Sequence, residues 1–345
     1  AKLYPLKDVG QGTALISSLG LIILFSSVGL DLTLVRFILI WDKEKVFNTS
    51  LVLTTISTAA ISILYYVIQS LFQINLLANL AHGLLFMLIA IFNSIALITG
   101  NMFCALKKGQ YYFIQILIQS SRLLLLFLLV NFAGFGIFLA LGICYLLSSF
   151  FSLWLISKEV KINFLKIDLE FIKESCKFSL GTFLSHLLIE APTLLLPIMI
   201  LHLLGQEQAA KYYIAMNIGN LALIVPHALS FSLFIEGSHG QPLKENIIKS
   251  CSTSYLLLIP IVIIIGLGGK HILGFINKAY IEAYFLLLLV VSASLFAVIH
   301  MLFLAVQNIT MQVKNNIILN LLRFIILLGT SYLFMHKYNI NGVGY

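Results

Sequence analysis

Two arginines stand in the middle of long apolar runs. Arg122 sits between YYFIQILIQSS and LLLLF, and Arg323 between QVKNNIILNLL and FIILL. If these runs are membrane helices over 111–131 and 312–334, each arginine is the twelfth residue of its helix, close to the bilayer centre. A charge at that depth costs roughly 2.5–3.5 kcal/mol on insertion scales, so it faces a bundle interior, a partner charge or water. Two readings follow. Each arginine either pairs with a carboxylate and braces its helix bundle, or lines a polar cavity and holds an anion. The planar guanidinium donates two parallel hydrogen bonds, which suits phosphate oxygens. Arg36, at the end of GLDLTLVR, falls near the boundary of the first apolar run. There it either snorkels to the interface or joins the anion-binding set.

Glu190 is the one carboxylate placed inside an apolar run, in HLLIEAP, with His186 one turn before it and Pro192 and Pro197 after it. The prolines remove backbone donors and free carbonyls that could meet an ion. Glu190 and His186 are therefore candidates for binding a coupling cation or carrying a proton. The plainer alternative is a salt bridge from Glu190 to Arg122 or Arg323. His202 and His227 read as interfacial or packing residues. Cys104, Cys144, Cys176 and Cys251 form no CxxC pair and read as small reduced apolar residues. No Gly-rich phosphate loop, HExxH, GxSxG or Cys/His ligand cluster occurs, so the sequence offers no catalytic or metal site. Asn48-Thr49-Ser50 and Asn308-Ile309-Thr310 match the glycosylation pattern, but fall on the side assigned below to the cytoplasm.

The elements that carry these residues follow from composition. Hydrophobic residues make up 60% of the 345 and charged residues 10%, against roughly 25% charged in soluble domains. Mean hydropathy is +1.04. The apolar runs are each long enough to cross about 30 Å of hydrocarbon. Only elements complete in hydrogen bonds can cross lipid, so the runs are helices. The fold class is all-α integral membrane, with ten spans predicted at 9–30, 48–70, 80–103, 111–131, 135–156, 176–203, 211–235, 250–268, 282–305 and 312–334.

The net charge of +8 is not a nucleic-acid face. Thirteen of the 21 Lys and Arg lie in or beside the loops after odd-numbered spans, and six lie on the other side. This positive-inside bias makes the odd loops cytoplasmic. The residues SKEVKINFLKIDLEFIKES over 157–175 form the longest and most basic loop. Leu165, Leu169 and Ile172 at helical spacing, with Lys166, Asp168 and Lys173 between them, predict an amphipathic helix on the cytoplasmic membrane surface. It would link an N-terminal lobe over 1–156 to a C-terminal lobe over 176–345.

Internal similarity supports two lobes. Aligning Arg122 with Arg323 sets an offset of 201 and pairs Gln119 with Asn320. A second alignment, at an offset of 199, pairs Gly20 with Gly219. Both match a span to the one six places later, so the repeats share one orientation and are expected to relate by a pseudo-twofold axis along the membrane normal. A six-helix unit then calls for one further helix before residue 9 and another opening near Gly342.

These features together resemble the polysaccharide flippases of the multidrug/oligosaccharidyl-lipid/polysaccharide exporter superfamily, the group that includes O-antigen (Wzx-type) flippases. The resemblance rests on Val9-Gly10, on Gly29-Leu30-Asp31 with Arg36, and on Ala105-Leu106-Lys107-Lys108-Gly109. It rests also on Lys177-Phe178-Ser179-Leu180-Gly181 and on Tyr212-Tyr213-Ile214-Ala215 with Pro226. On this likeness the chain spans the family's second to eleventh helices and the start of the twelfth. The resemblance implies an inner-membrane, multi-pass protein that is not an enzyme. It implies a polyprenyl-pyrophosphate-linked oligosaccharide as substrate, and membrane lipids and other polysaccharide-assembly proteins as partners. It brings in no cofactor beyond Na⁺ or proton coupling, and no nucleic acid. Arg36, Arg122 and Arg323 are the basic residues available for the pyrophosphate. A multidrug cation antiporter of the same superfamily would want acidic residues within the N-terminal half, and none is mid-helix there. A membrane polysaccharide polymerase or ligase would want a sizeable external loop, and the loops on that side are short.

Overall fold

The computed structural model describes residues 6–71, 77, 79–163 and 167–344. Among the described residues there are helices and no strand. Among the described residues nine helices are long and apolar enough to cross a membrane, or ten if one bent pair is counted as a single span. Burial differs from that of a soluble domain, because large apolar side chains cover the outside as well as the core. Phe275 is 95% exposed and Leu267 81%, while Thr54, Thr58, Ser94 and Ser254 are fully buried. Apolar side chains cover the outside because lipid is the solvent, and small hydroxyl residues let helices approach closely.

The chain divides into two compact units, Ala1–Phe183 and Leu184–Tyr345. The first contains α1 (Leu6–Ser27), α2 (Leu30–Phe37), α3 (Lys43–Leu71), α4 (Leu80–Ala105), α5 (Gly109–Ser120), α6 (Arg122–Leu128) and α7 (Ala133–Ile156). Helix α4 packs on α3 and α7, and α1 packs on α7 and α3. Their shared core is built on Leu15, Leu19, Phe86, Ile89 and Phe138, with the Phe86 and Phe138 rings stacked at 5.3 Å. The division falls inside α8 (Leu169–Leu204), whose first half belongs to this unit. The second unit holds the rest of α8, α9 (Gln206–Ser238), α10 (Leu243–Ile276), α11 (Tyr284–Ile309) and α12 (Val313–Tyr338). In it α9, α10 and α11 pack mutually, and α12 packs on α11.

Three local features differ from the sequence expectation. The span read at 9–30 is a bent pair, in which Ala14–Ser27 and Leu30–Phe37 meet at 47°. Val28 and Gly29 turn the chain with φ of 45° and 72°. The span read at 111–131 breaks between α5 and α6 at Ser121, whose hydroxyl donates back to Ile118 O at 2.6 Å and competes with the helix ladder. No separate surface helix forms over 157–175. The described residues before Leu169 are turns and irregular chain, Leu165 and Lys166 lie outside the described residues, and the helix beginning at Leu169 runs on unbroken to Leu204. The amphipathic spacing of Leu169 and Ile172 belongs to the first turn of a span.

The irregular stretch is held instead by side chains of α3. Asn48 donates through Nδ2 to Lys161 O at 2.9 Å and accepts from Asn163 N–H at 3.0 Å. Thr49 Oγ1 accepts from Asp168 N–H at 3.0 Å, and Lys45 pairs with the Asp168 carboxylate at 2.9 Å. Lys108 pairs with Glu159 at 2.5 Å. Asn48 and Thr49 lie in the glycosylation pattern noted above, and here they serve as buried tethers.

Candidate functional site

Arg122 opens α6 just after the Ser121 break and is exposed. It forms no ion pair within 4 Å among the described residues, where the ion pairs involve Lys45, Lys108 and Lys211. It lines a cavity of about 380 Å³ in the first unit, between α4, α5 and α7. From α4 the wall receives Asn93 and Asn101, and from α5 Gln115 and Gln119. Tyr112 and Tyr145 supply aromatic faces, and no carboxylate lines the cavity. Gln119, one turn before Arg122, donates to Ser148 Oγ at 3.4 Å. The charge balance is therefore one guanidinium among neutral amides and phenols. That set suits an anionic or hydroxyl-rich guest and gives nothing to neutralise a cation.

None of the other candidates is among the residues that line this cavity. Arg36 is in the last turn of α2, half-buried, and its Nε is buried with no hydrogen-bond partner. Arg323 is exposed on α12 and forms no ion pair within 4 Å among the described residues. It lies within electrostatic reach of Glu190 and of His300, whose Nε2 is buried without a partner.

Glu190 is exposed on α8 and joins no ion pair within 4 Å among the described residues. Thr193 donates to the Glu190 backbone oxygen at 2.6 Å and reaches its carboxylate at 3.5 Å. His186 is half-buried one turn earlier on the same helix. Pro192 and Pro197 both lie inside α8, leaving the carbonyls of Leu188 and Thr193 without their usual helical donors. The structure thus gathers Glu190, Arg323 and His300 in the second unit, and Arg122 with its amides in the first. The side chain of His202 lies outside what is described.

Sequence reading missed Asn93, Asn101, Tyr112, Gln115 and Tyr145. One signal was present. Gln115, Gln119 and Arg122 recur at helical spacing within one apolar run, which puts them on a common face. Lys211 was also missed, since it lay at a span edge. It is 2% exposed and clamped between Glu207 at 2.6 Å and Glu282 at 2.5 Å.

Among the described residues no group of His, Cys, Asp or Glu could hold a metal ion. No protein of curated function matches the chain by sequence. Solved structures do resemble its fold. A MATE transporter in the straight conformation superposes with a TM-score of 0.80 at 18% identity, covering 99% of this chain and 84% of that one. An outward-facing multidrug resistance MATE family transporter of the MOP superfamily gives 0.80 at 15% identity, covering 98% and 83%. An aspartate-to-asparagine mutant of a Vibrio cholerae MATE transporter gives 0.81 at 14%, covering 97% and 83%. These likenesses establish the fold. A family profile described as polysaccharide biosynthesis protein matches residues 5–234. On that match the chain belongs to the polysaccharide biosynthesis protein family, and its multi-pass helical fold is the one seen in the MATE transporters.

Proposed function

We propose that this protein flips a polyprenyl-pyrophosphate-linked oligosaccharide from the cytoplasmic to the outer leaflet of the cell inner membrane, for cell-surface polysaccharide synthesis. The observation that carries the reading is the lining of the first unit's cavity, which has one arginine, four neutral amides and two tyrosines with no carboxylate. Arg122 takes the pyrophosphate there, and Arg36 and Arg323 are the further basic residues available to it. Glu190 with His186 serves the coupling ion or proton. The lipid-linked glycan, the surrounding lipids and other membrane proteins of polysaccharide assembly are the partners of such a cycle.

The MATE fold suits a multidrug cation antiporter equally well, and Glu190 is the residue that favours that second reading. A cation exporter needs compensating negative charge where the drug sits, and the cavity beside Arg122 would repel it. The test is reconstitution of the full-length protein into liposomes holding a fluorescent polyprenyl-pyrophosphate-linked oligosaccharide. Wild type should move the probe between leaflets. Arg122→Ala should slow this by about tenfold or more, the equivalent of roughly 1.4 kcal/mol, and Arg122→Lys should restore part of it through charge without the fork. Export of a cationic dye with no movement of the glycan lipid would establish the antiporter instead.

A further inference from the structure

Helix α7 leaves the membrane on the side that the positive-inside bias makes cytoplasmic. Its exposed residues Ile143, Leu147, Phe150 and Trp154 recur at helical spacing, which places them on one face. From Ile143 to Trp154 the helix rises about 16 Å, close to half of the roughly 30 Å hydrocarbon core. The stripe therefore runs the depth of one leaflet. Phe150 is 60% exposed and Trp154 58%, so no described helix of the first unit covers their rings.

One turn past Trp154, Lys158 is exposed and lies over the indole. Its Nζ is 3.7 Å from the ring centroid, whereas the other lysines over aromatic rings among the described residues stand at 5.2 to 5.6 Å. An ammonium seated on a ring face keeps donors for an acceptor on its open side. The adjoining carboxylate does not use them. Glu159 is taken by Lys108 at 2.5 Å, and that pair joins the α4–α5 turn to the chain just past α7. Lys107 and Lys158 flank the join. Both are exposed, and neither forms an ion pair within 4 Å among the described residues.

Lys107 also stands where a helix usually ends in glycine. It closes α4 with φ 57°, its N–H bonded to Cys104 O at 3.0 Å and the Lys108 N–H to Phe103 O at 2.8 Å. A left-handed lysine is strained where glycine would be relaxed. The residue held there brings a charge that glycine would not.

We propose that the cytoplasmic end of α7 binds an anionic phospholipid, with an acyl chain laid along Ile143, Leu147, Phe150 and Trp154 and the phosphate held between Lys158 and Lys107. Basic residues at the cytoplasmic ends of membrane helices suit phosphate headgroups. A phosphatidylcholine has the same chains but carries its own cation, which the two lysines repel, so the site selects by headgroup charge. None of these residues lines the cavity beside Arg122, so the site stands whatever the protein transports.

Trp154 is the natural probe. Full-length protein is reconstituted in bilayers that mix phosphatidylcholine with phosphatidylglycerol, one of the two brominated in turn, and bromine quenching of tryptophan fluorescence gives their relative binding. The Trp154 signal is the difference between wild type and Trp154→Phe. Wild type should bind phosphatidylglycerol at Trp154 at least about tenfold more tightly than phosphatidylcholine. Lys107→Gly combined with Lys158→Ala should bring that ratio to within about twofold of unity. The glycine relaxes the left-handed backbone, so the variant keeps its fold. Lys173→Ala removes an exposed lysine of α8 on the same side of the membrane, and should leave the ratio within about twofold of wild type. A wild-type ratio near unity, a ratio that survives the loss of both lysines, or an equal fall in Lys173→Ala overturns the site. Quenching of Trp154 by neither lipid puts protein on the stripe and overturns it as well.

Discussion

Asp168 works at two ends of one carboxylate. It accepts the Phe171 N–H at 2.9 Å, satisfying a donor in the first turn of α8, and pairs with Lys45 on α3 at 2.9 Å. These contacts, the Phe171 bond foremost, hold its carboxyl below the usual carboxylate range. Glu159 is held low in the same way by its hydrogen bond to Lys108. A carboxyl lowered on folding stabilises the fold above its unfolded value, about pH 4, and loses that contribution as the pH falls through the folded value. The tethered residues 157–163 and 167–168 should therefore resist protease equally from pH 8 down to about pH 4.5 and become cleavable only below that. Asp168→Asn keeps an acceptor for Phe171 but loses the ion pair, and should raise cleavage at neutral pH while flattening the acid limb. An opening near pH 6 would point to a histidine instead. At this scale the sequence was legible for charge and not for amides. Arg122 was found because a charge at mid-depth is conspicuous. Gln115 was not, because its meaning depends on Ala96 taking up its donor and leaving its acceptor bare.

Gly29 decides the course of the first span. It adopts φ 72°, and a Cβ there would lie 2.2 Å from Ser179 O and 2.9 Å from Phe183 N on α8. Around it Ser179 donates to Val28 O at 2.6 Å, and Thr33 donates to Gly29 O at 2.8 Å. The serine satisfies the Val28 carbonyl across the bend, while Gly29 O also accepts the Thr33 N–H at 3.1 Å and so opens the helix that follows. Phe37 continues the contact, with ring centroids 5.9 Å from both Phe171 and Phe178. Gly29→Ala meets backbone that cannot yield and a left-handed φ together, so a loss of about 2–4 kcal/mol is expected, from overpacking and strain combined. A thermal shift in detergent would read it. Gly20→Ala, where nothing lies within 4 Å, should be neutral; equal losses in the two variants would mean the bend does not depend on Gly29. Span number and most boundaries were legible because about 20 apolar residues leave few alternatives. The bend at Gly29 and the interruption at Ser121 were not, because both residues are ordinary in composition and act through a neighbouring helix or their own backbone. The α8 start was missed because its polar first turn looks like a surface segment until Asn48, Thr49 and Lys45 are seen to hold the chain before it.

At the scale of the whole molecule, the two units carry opposite polar equipment. The register that pairs Arg122 with Arg323 also pairs Gln115 with Asn316 and Gln119 with Asn320, and Gln115, Asn316 and Asn320 are all buried. The register read from one arginine and one amide thus brings a second pair of amides into line. What differs is the neighbourhood. Arg122 stands among neutral groups, whereas Arg323 lies within electrostatic reach of Glu190.

A transporter moving a bulky anion outward needs a bias on its cycle, and an ion gradient supplies one only through a group inside the membrane that binds the ion. Glu190 has what such a group needs. Its carboxylate is exposed and free of any ion pair within 4 Å among the described residues, and two prolines beside it leave helix carbonyls without donors. On the proposed coupling, Arg323 would set the competition, because a cation binding Glu190 would have to displace the attraction of the guanidinium. Glu190→Gln should therefore keep the fold and the affinity for the glycan lipid, yet make flipping in liposomes indifferent to an imposed Na⁺ or proton gradient. Wild type should respond several-fold to one of the two gradients. A Glu190→Gln protein that still responds places coupling elsewhere. One that fails to assemble, and recovers when Arg323 is neutralised as well, makes Glu190 the charge partner of that arginine.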